Sequence, residues 1–369
     1  MQVAVVAPET TPLADADDRA VARVERTARS LAARGHDVTV YCTGWWSDRL
    51  DYTETRERDG VTYRAVTVSP ATTSYHARIP ALLATARPDA VHAIDDPSAV
   101  LAARTGATLA RSPLVVDWFG EGPPEDPLVG PALRVADRVV APSELVRTRV
   151  RERGVPEDRA RIVPEAIDFE RVRAVEPVAD PPDVVAATRL DADANLESVL
   201  LGLAELRDRD WSATVIGDGP ERAAYEQQAA DLSIDDRVTF AGDLPRGERL
   251  AHYRAAHVFC QTARDEVFAI ELLWALACGC VGVVEYQADS AAHELVERRT
   301  RGFRVSTPEE IEGAIVEAGE FPEWTIDEDL AAFDEDAVAG RWLDIYRAAG
   351  APEEAETAPE PAEHPEPVE

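Results

Sequence analysis

Lysine is absent from the 369 residues, so all 38 basic side chains are arginine, set against 70 aspartates and glutamates for a formal net charge of -32. A field this negative repels phosphate backbones and argues against nucleic-acid binding. It also disfavours long-range attraction to anionic lipid. An acidic, lysine-free surface reads as adaptation to high salt, as in a halophile, and concerns solubility rather than reaction. Cysteine is scarce: Cys42, Cys260, Cys278 and Cys280 are too few for a disulfide scaffold in a chain of this length. Cys278 and Cys280 are one residue apart, but no partner ligands can be placed for a metal, and packed small residues are the simpler reading. No apolar run reaches the ~20 residues that span a bilayer. The opening residues Met1 to Pro8 lack a basic n-region and read as a first strand rather than a signal peptide. The expected location is the cytoplasm, with any membrane contact peripheral.

What is present is a globular composition, 45% apolar, in a chain long enough for about two domains. Val3 to Ala7 is a continuous apolar run of the kind found in central parallel strands. Val21, Val24, Ala28 and Leu31 then recur at helical spacing, Gly35 ends the helix, and residues 37–42 form the next strand. This βαβ order continues. A strand is expected over 61–68, a short helix over 80–87, a strand over 90–94, a helix near 97–105, a strand over 114–118 and a helix over 144–153. A proline-rich stretch, 174–182, marks a linker. A second series follows: strands beginning at 183, 211, 237, 257 and 281, and helices over 195–206, 221–232, 249–255, 270–278, 290–297 and 311–318. The last twenty residues are mostly Ala, Pro and Glu and read as a disordered acidic tail.

Ligands in open α/β sheets bind at the carboxyl ends of strands. His92, Asp95, Asp96, Asp117, Trp118 and Glu165 are the first-half candidates for such a crevice, with a loop-capping carboxylate as the alternative for Asp117. The adjacent Trp45 and Trp46 suit either sugar stacking or packing beneath their loop. In the second half, Gly217 and Gly219 flank Asp218 between a strand and a helix. That turn allows close backbone approach and offers amides to an anion, without the dinucleotide glycine spacing. Arg189 lies just past a strand and suits bidentate phosphate binding or a surface ion pair. Glu266, ahead of the helix at 270, suits sugar hydroxyls or capping. Arg147, Arg149, Arg151 and Arg153 form a local basic patch that a membrane surface or an acidic surface of the protein itself could meet.

Several segments together resemble the large retaining family 4 of GT-B glycosyltransferases, in a haloarchaeal type. They include Arg34-Gly-His-Asp-Val-Thr-Val40, Ala136-Asp-Arg-Val-Val-Ala-Pro-Ser143, Arg189-Leu-Asp191, Val215-Ile-Gly-Asp-Gly-Pro220, Asp265-Glu-Val-Phe268 and Ala275-Leu-Ala-Cys-Gly279. The resemblance implies an α/β GT-B fold of two facing Rossmann-like domains with a C-terminal crossover helix. Residues 1–175 would form the acceptor-side domain, 176–182 the linker, 183–330 the nucleotide-sugar domain, 331–348 the crossover helix and 350–369 the tail. Trp342, Leu343, Ile345 and Tyr346 would anchor the crossover helix.

It further implies a hexose transfer from a nucleotide-diphosphate sugar to a lipid-linked or glycan acceptor, with the donor as substrate and no cofactor or metal. Donor contacts would fall on Arg189, Gly217, Gly219, Glu266, Phe268, Ala269 and Ile270, and Glu266, Asp117 and Glu165 are the candidates for the chemistry. The donor-site motif is degenerate. The family's phosphate lysine is Ala194, its ribose glutamate is Trp274, the glycine after the motif phenylalanine is Ala269 and a first-domain histidine is Phe119. The alternatives are therefore a catalytically inactive homologue that binds a glycan or a protein partner, or another two-domain α/β enzyme such as a sugar epimerase.

Overall fold

The computed structural model describes residues 1–8, 19–46, 55–68, 72–120, 126–323 and 325–352. The acidic first loop at 9–18, the loop at 47–50 and the tail beyond 352 lie outside the described residues. In the first half the elements run β1 (Gln2–Val6), α1 (Arg19–Ala33), β2 (Asp37–Thr43), β3 (Thr55–Arg58), β4 (Val61–Thr67), α2 (Thr72–Ala86) and β5 (Ala90–Ile94). They continue with α3 (Pro97–Ala110), β6 (Leu114–Asp117), α4 (Val129–Val135), β7 (Arg138–Ala141), α5 (Glu144–Glu152), β8 (Ala160–Ile162) and α6 (Phe169–Ala174). The second half has β9 (Val184–Ala187), α7 (Leu196–Glu205), β10 (Ala213–Ile216), α8 (Arg222–Asp231), β11 (Val238–Gly242), α9 (Arg246–Ala255) and β12 (Val258–Gln261). Then come β13 (Asp265–Glu266), α10 (Ile270–Ala277), β14 (Val281–Glu285), β15 (Asp289–Ser290), β16 (Gly302–Val305), α11 (Pro308–Ala318) and α12 (Glu335–Ala349).

Two open sheets result. The first has the order β3-β4-β2-β1-β5-β6-β7-β8 and is parallel except for β3 against β4. The second, β11-β10-β9-β12-β14-β16, is parallel throughout. Their strands are apolar on both faces because helices cover both sides. In β6, Val116 faces one core cluster with α3 and α4, while Val115 faces another with α1 and α12. Trp342, Leu343, Ile345 and Tyr346 of α12 lie buried in that second cluster beside Val5, Val24 and Leu31. The C-terminal helix thus packs on the first sheet, giving the two facing Rossmann-like units of a GT-B fold.

Local rules set several helix ends. Asp96 accepts from the Ser98 and Ala99 amides at the start of α3, and Ser143 and Thr307 do the same for α5 and α11. Two segments depart from the sequence expectation. Helix α2 begins at Thr72, not 80, and carries Pro80 inside it. The missing N–H interrupts one backbone bond, yet α2 packs tightly on α3, where a Cβ at Gly106 would sit 2.8 Å from Leu83. Residues 290–297 form the short strand β15 and a 3-10 turn, Ala292–Leu295, instead of a helix. Trp45 and Trp46 stack edge-on at 5.2 Å, with Trp45 also 6.2 Å from Tyr63, and pack against the first domain's core.

Candidate functional site

The strand order of the second sheet reverses between β9 and β12, so the loops leaving their carboxyl ends diverge and open a crevice. Those loops supply Thr188, Arg189, Asp191, Asp193, Ala194 and Ala263 to a cleft of about 730 Å³. Strand β13 and its partner β15 add Asp265, Glu266 and Asp289. The first half supplies the opposite wall: Trp118 and Gly120 after β6, Val129 of α4, and Arg149, Glu152 and Arg153 on or beside α5.

Arg189 reaches into this cleft with an exposed side chain, its Nε 3.6 Å from Asp191. The loop carrying it is laced to the Gly217–Gly219 turn. Thr188 N donates to Ile216 O (3.0 Å), Leu190 N to Asp218 O (3.0 Å) and Glu221 N to Leu190 O (2.9 Å). The approach is so close that a Cβ on Gly217 would sit 1.9 Å from Thr188 O, and one on Gly219 2.2 Å from Leu190 O. Gly217 also has φ +130°, a region that favours glycine. The sequence reading of close approach at these glycines therefore meets a different partner, the chain itself. Their amides are engaged internally, Gly217 N on Gly242 O (2.8 Å) and Gly219 N on Asp218 Oδ1 (2.7 Å). The turn acts on the site by fixing the Arg189 loop rather than by presenting free N–H groups. Gly219→Ala is expected to destabilise the chain by more than about 1 kcal/mol in a urea titration, because the new Cβ has no room. A wild-type midpoint in that variant would mean the loop can move aside.

Glu266 is buried in the cleft wall, and its backbone carbonyl accepts from Ala291 N at 2.7 Å. Phe268 and Ala269 are buried just beyond it, and Ile270 opens α10. Ala194, where the resemblance places a lysine, is 2% exposed. Trp274 packs in the core beneath α10, with the Arg246 guanidinium 5.3 Å from its ring. Glu271, on another face of α10, is held by Arg246 (2.7 Å), Arg249 (2.8 Å) and the Tyr253 hydroxyl (2.7 Å). It belongs to the helix packing and does not stand in for a carboxylate at 274. Three arginines and six carboxylates line the cleft as a whole.

Asp117 and Glu165 are placed elsewhere. Side chains alternate along a strand, so Trp118 faces the cleft while Asp117 points to the α1 and α12 side. There Arg23 clasps Asp117 through Nε (2.7 Å) and Nη2 (3.2 Å), and reaches Glu165 (3.3 Å) and the carbonyls of Pro164 (3.0 Å) and Val163 (2.7 Å). Arg26 holds the other Glu165 oxygen. The Arg23 guanidinium lies over Phe119 at 5.0 Å and Trp342 at 5.3 Å. His92 sits on the same face, its Nδ1 2.8 Å from the Tyr346 hydroxyl, and burial pushes its pKa down to about 3. Burial holds the Asp117 carboxyl above its ordinary value, against the pull of Arg23. A void of about 10 Å³ borders Arg23 and Glu165. The structure thus does not bring Asp117, Glu165 or His92 together with Glu266. Asp95 accepts from the Phe119 and Gly120 amides, and Asp96 caps α3.

The α5 arginines are similarly engaged. Arg147 pairs with Glu144 (2.7 Å), Arg149 with Asp289 (2.7 Å) and Arg151 with Glu157 (3.3 Å). Sequence reasoning missed Asp289 and Glu294 as groups that meet the first domain across the cleft, since no local pattern marks a contact 140 or more residues away. No group of three or more His, Cys, Asp or Glu among the described residues is arranged to hold a metal ion. No helix among them is long and apolar enough to cross a membrane.

Residues 20–166 match the glycosyl transferase 4-like domain, and residues 168–320 match the glycosyl transferases group 1 domain. The chain carries the paired domains of a family 4-like GT-B glycosyltransferase. The chain is 27% identical over 207 residues to the alpha-monoglucosyldiacylglycerol synthase of Streptococcus pneumoniae, an alignment covering 52% of this chain and 46% of that one. It is 29% identical over 127 residues to the 2-deoxystreptamine glucosyltransferase of Streptomyces kanamyceticus, covering 34% and 33%. The match spans less than half the length of each. Among solved structures, a glycosyltransferase from Rickettsia africae superimposes with a TM-score of 0.75 at 14% identity, over 94% of this chain and 98% of that one. An Anabaena protein in complex with UDP and glucose does so with a TM-score of 0.62 at 17% identity, over 95% and 97%. At such identities these structures share the fold.

Proposed function

We propose that the chain transfers a hexose, with retention of anomeric configuration, from a nucleotide-diphosphate sugar to a lipid-linked or glycan acceptor. The observation that carries this reading is the interdomain cleft at the β9/β12 reversal, with Arg189 and Glu266 on one wall and Trp118 on the other. Arg189 would bind the diphosphate bidentately and stabilise the leaving group. Glu266 would accept hydrogen bonds from the sugar hydroxyls. Trp118 would close the acceptor side with an aromatic face. A lipid acceptor is favoured by the likeness to a diacylglycerol-modifying synthase, and it would bring the chain to the inner face of a membrane while the body stays in the cytoplasm.

A second reading, a non-catalytic glycan- or partner-binding homologue, is supported by the charge of the same cleft. Six carboxylates face three arginines there, and alanine replaces the second phosphate cation. A dianionic diphosphate would be repelled unless the local arginines outweigh that field.

Calorimetry with UDP-, GDP- and dTDP-sugars at high salt separates the two. Binding of at least one donor is expected, and Arg189→Ala should weaken it about tenfold or more, the value of one charge-assisted contact. Folded protein that binds none of the panel would reject the transferase reading. Affinity unchanged in Arg189→Ala would reject the role of that side chain.

A further inference from the structure

We propose that Glu294 is a positioning residue, part of a latch that ties the placement of Glu266 to closure of the two domains. The inference rests on the reading of Glu266 as the sugar-facing carboxylate. Glu294 lies in the 3-10 turn Ala292–Leu295 of the second domain, yet its carboxylate reaches the first. Oε2 accepts from Glu144 N and Oε1 from Leu145 N, both at 2.9 Å. These are the first two amides of α5, the positive end of its dipole, and the third exposed amide, Val146 N, is taken by Ser143 of its own chain segment. One helix start is thus capped jointly by both domains.

Two further contacts join the same elements. Along α5, Arg149 Nη2 donates to Asp289 Oδ1 at 2.7 Å. Val267, next to Glu266, is buried in the first domain's core cluster with Trp118, Val129 and Val146. All three contacts converge on one small unit of the second domain. In it β13 pairs with β15, setting Asp265 opposite Asp289 and Glu266 opposite Ser290, and Ala291 N closes onto the Glu266 carbonyl. Glu294 follows three residues later. The first domain therefore holds the unit containing Glu266 at its start, through Val267, and at its end, through Asp289 and Glu294.

The two domains do not depend on this unit for their connection. Ile167 and Asp334 form a separate bridge where the chain crosses, with Ile167 N on Phe333 O (2.9 Å) and Glu335 N on Ile167 O (3.0 Å). Releasing the latch leaves that hinge intact. It frees two helix amides to take water instead, which biases the cleft towards opening and loosens the strand pair beneath Glu266.

Hydrogen–deuterium exchange of the full, ligand-free chain tests this, comparing wild type with Glu294→Ala and Glu294→Gln at equal salt. Glu294→Ala should speed exchange at 144–146 and, by about tenfold, in peptides covering 264–270 and 286–297, with β1 and β2 unchanged. Glu294→Gln should fall between, because its carboxamide oxygen still accepts one bond. Should Glu294→Ala fail to fold, Arg149→Gln releases the neighbouring contact and should loosen the same peptides. Faster exchange confined to 144–146, or no change, would overturn the latch and leave Glu294 a local cap. No donor enters the measurement, so failure of the transferase reading would appear in calorimetry alone.

Discussion

Replacing Arg23 with methionine is expected to lower the unfolding free energy by about 3–5 kcal/mol, the usual result of removing one partner from a buried ion pair. Arg23 is 3% exposed and lies between Asp117 and Glu165, which are themselves 1% and 5% exposed. Desolvation is the largest influence on its guanidinium, and the two carboxylates more than offset it, so its pKa rises. Methionine would fill the space between Phe119 and Trp342 but leave Asp117 without its bidentate donor and strip two carbonyls, at 163 and 164, of theirs. Because the cluster joins α1, the end of β6, the loop after β8 and the underside of α12, the loss should appear as one cooperative transition at lower urea. Arg26→Met, whose side chain is 25% exposed, should cost much less. A drop below about 1 kcal/mol for Arg23→Met would show that water or a rearranged Glu165 partner takes over the cluster.

Stability is also expected to fall steeply in mild acid because of His92. Its imidazole is fully enclosed, with a pKa lowered to about 3 by burial first and by Arg23 second. In the unfolded chain it titrates near its ordinary value, about 6.5. Between those values the unfolded state binds a proton that the folded state refuses, so stability is full above about pH 6.5. It declines as pH falls, by up to about 1.4 kcal/mol per pH unit, until about pH 3. Asp117 acts in the opposite sense at the acid end, since its folded carboxyl holds a proton more readily than the unfolded one. Urea titrations across this range should show the decline in wild type and a flatter profile in His92→Gln. Parallel profiles would remove His92 as the source.

These two clusters also show where sequence reading stops. Strand ends were legible, and so was the crevice they create, because βαβ punctuation marks each strand's carboxyl end. The face was not. Asp117 and Trp118 are adjacent, but only Trp118 reaches the cleft, and what claims the other face is α12, more than 200 residues later. Arg189 is marked in the sequence by its place just past a strand, and Glu266 by its place ahead of the helix at 270 together with the family resemblance; both line the cleft. The glycines at 217 and 219 were recognised as a place of close approach, while the approaching backbone, their own neighbour loop, had no signature. The start of α2 at Thr72 was not legible, because the close packing of its Pro80 and Leu83 on Gly106 of α3 is a tertiary fact. Glu294 and Asp289 had no local signal at all.

The four cysteines, scarce and unremarkable in the sequence, acquire a use from where they lie. All are buried free thiols; burial pushes Cys42, Cys260 and Cys278 up to about 12 and holds Cys280 well above its ordinary value. A thiol in that state reacts with an alkylating reagent only when its surroundings open. Cys42 lies in the first domain's core cluster on the face that α1 and α12 cover, Cys260 on one side of the second sheet, and Cys278 and Cys280 on the other. Their alkylation rates are therefore independent clocks, one for each side of the second sheet and one for the first domain, built into the native chain without a label.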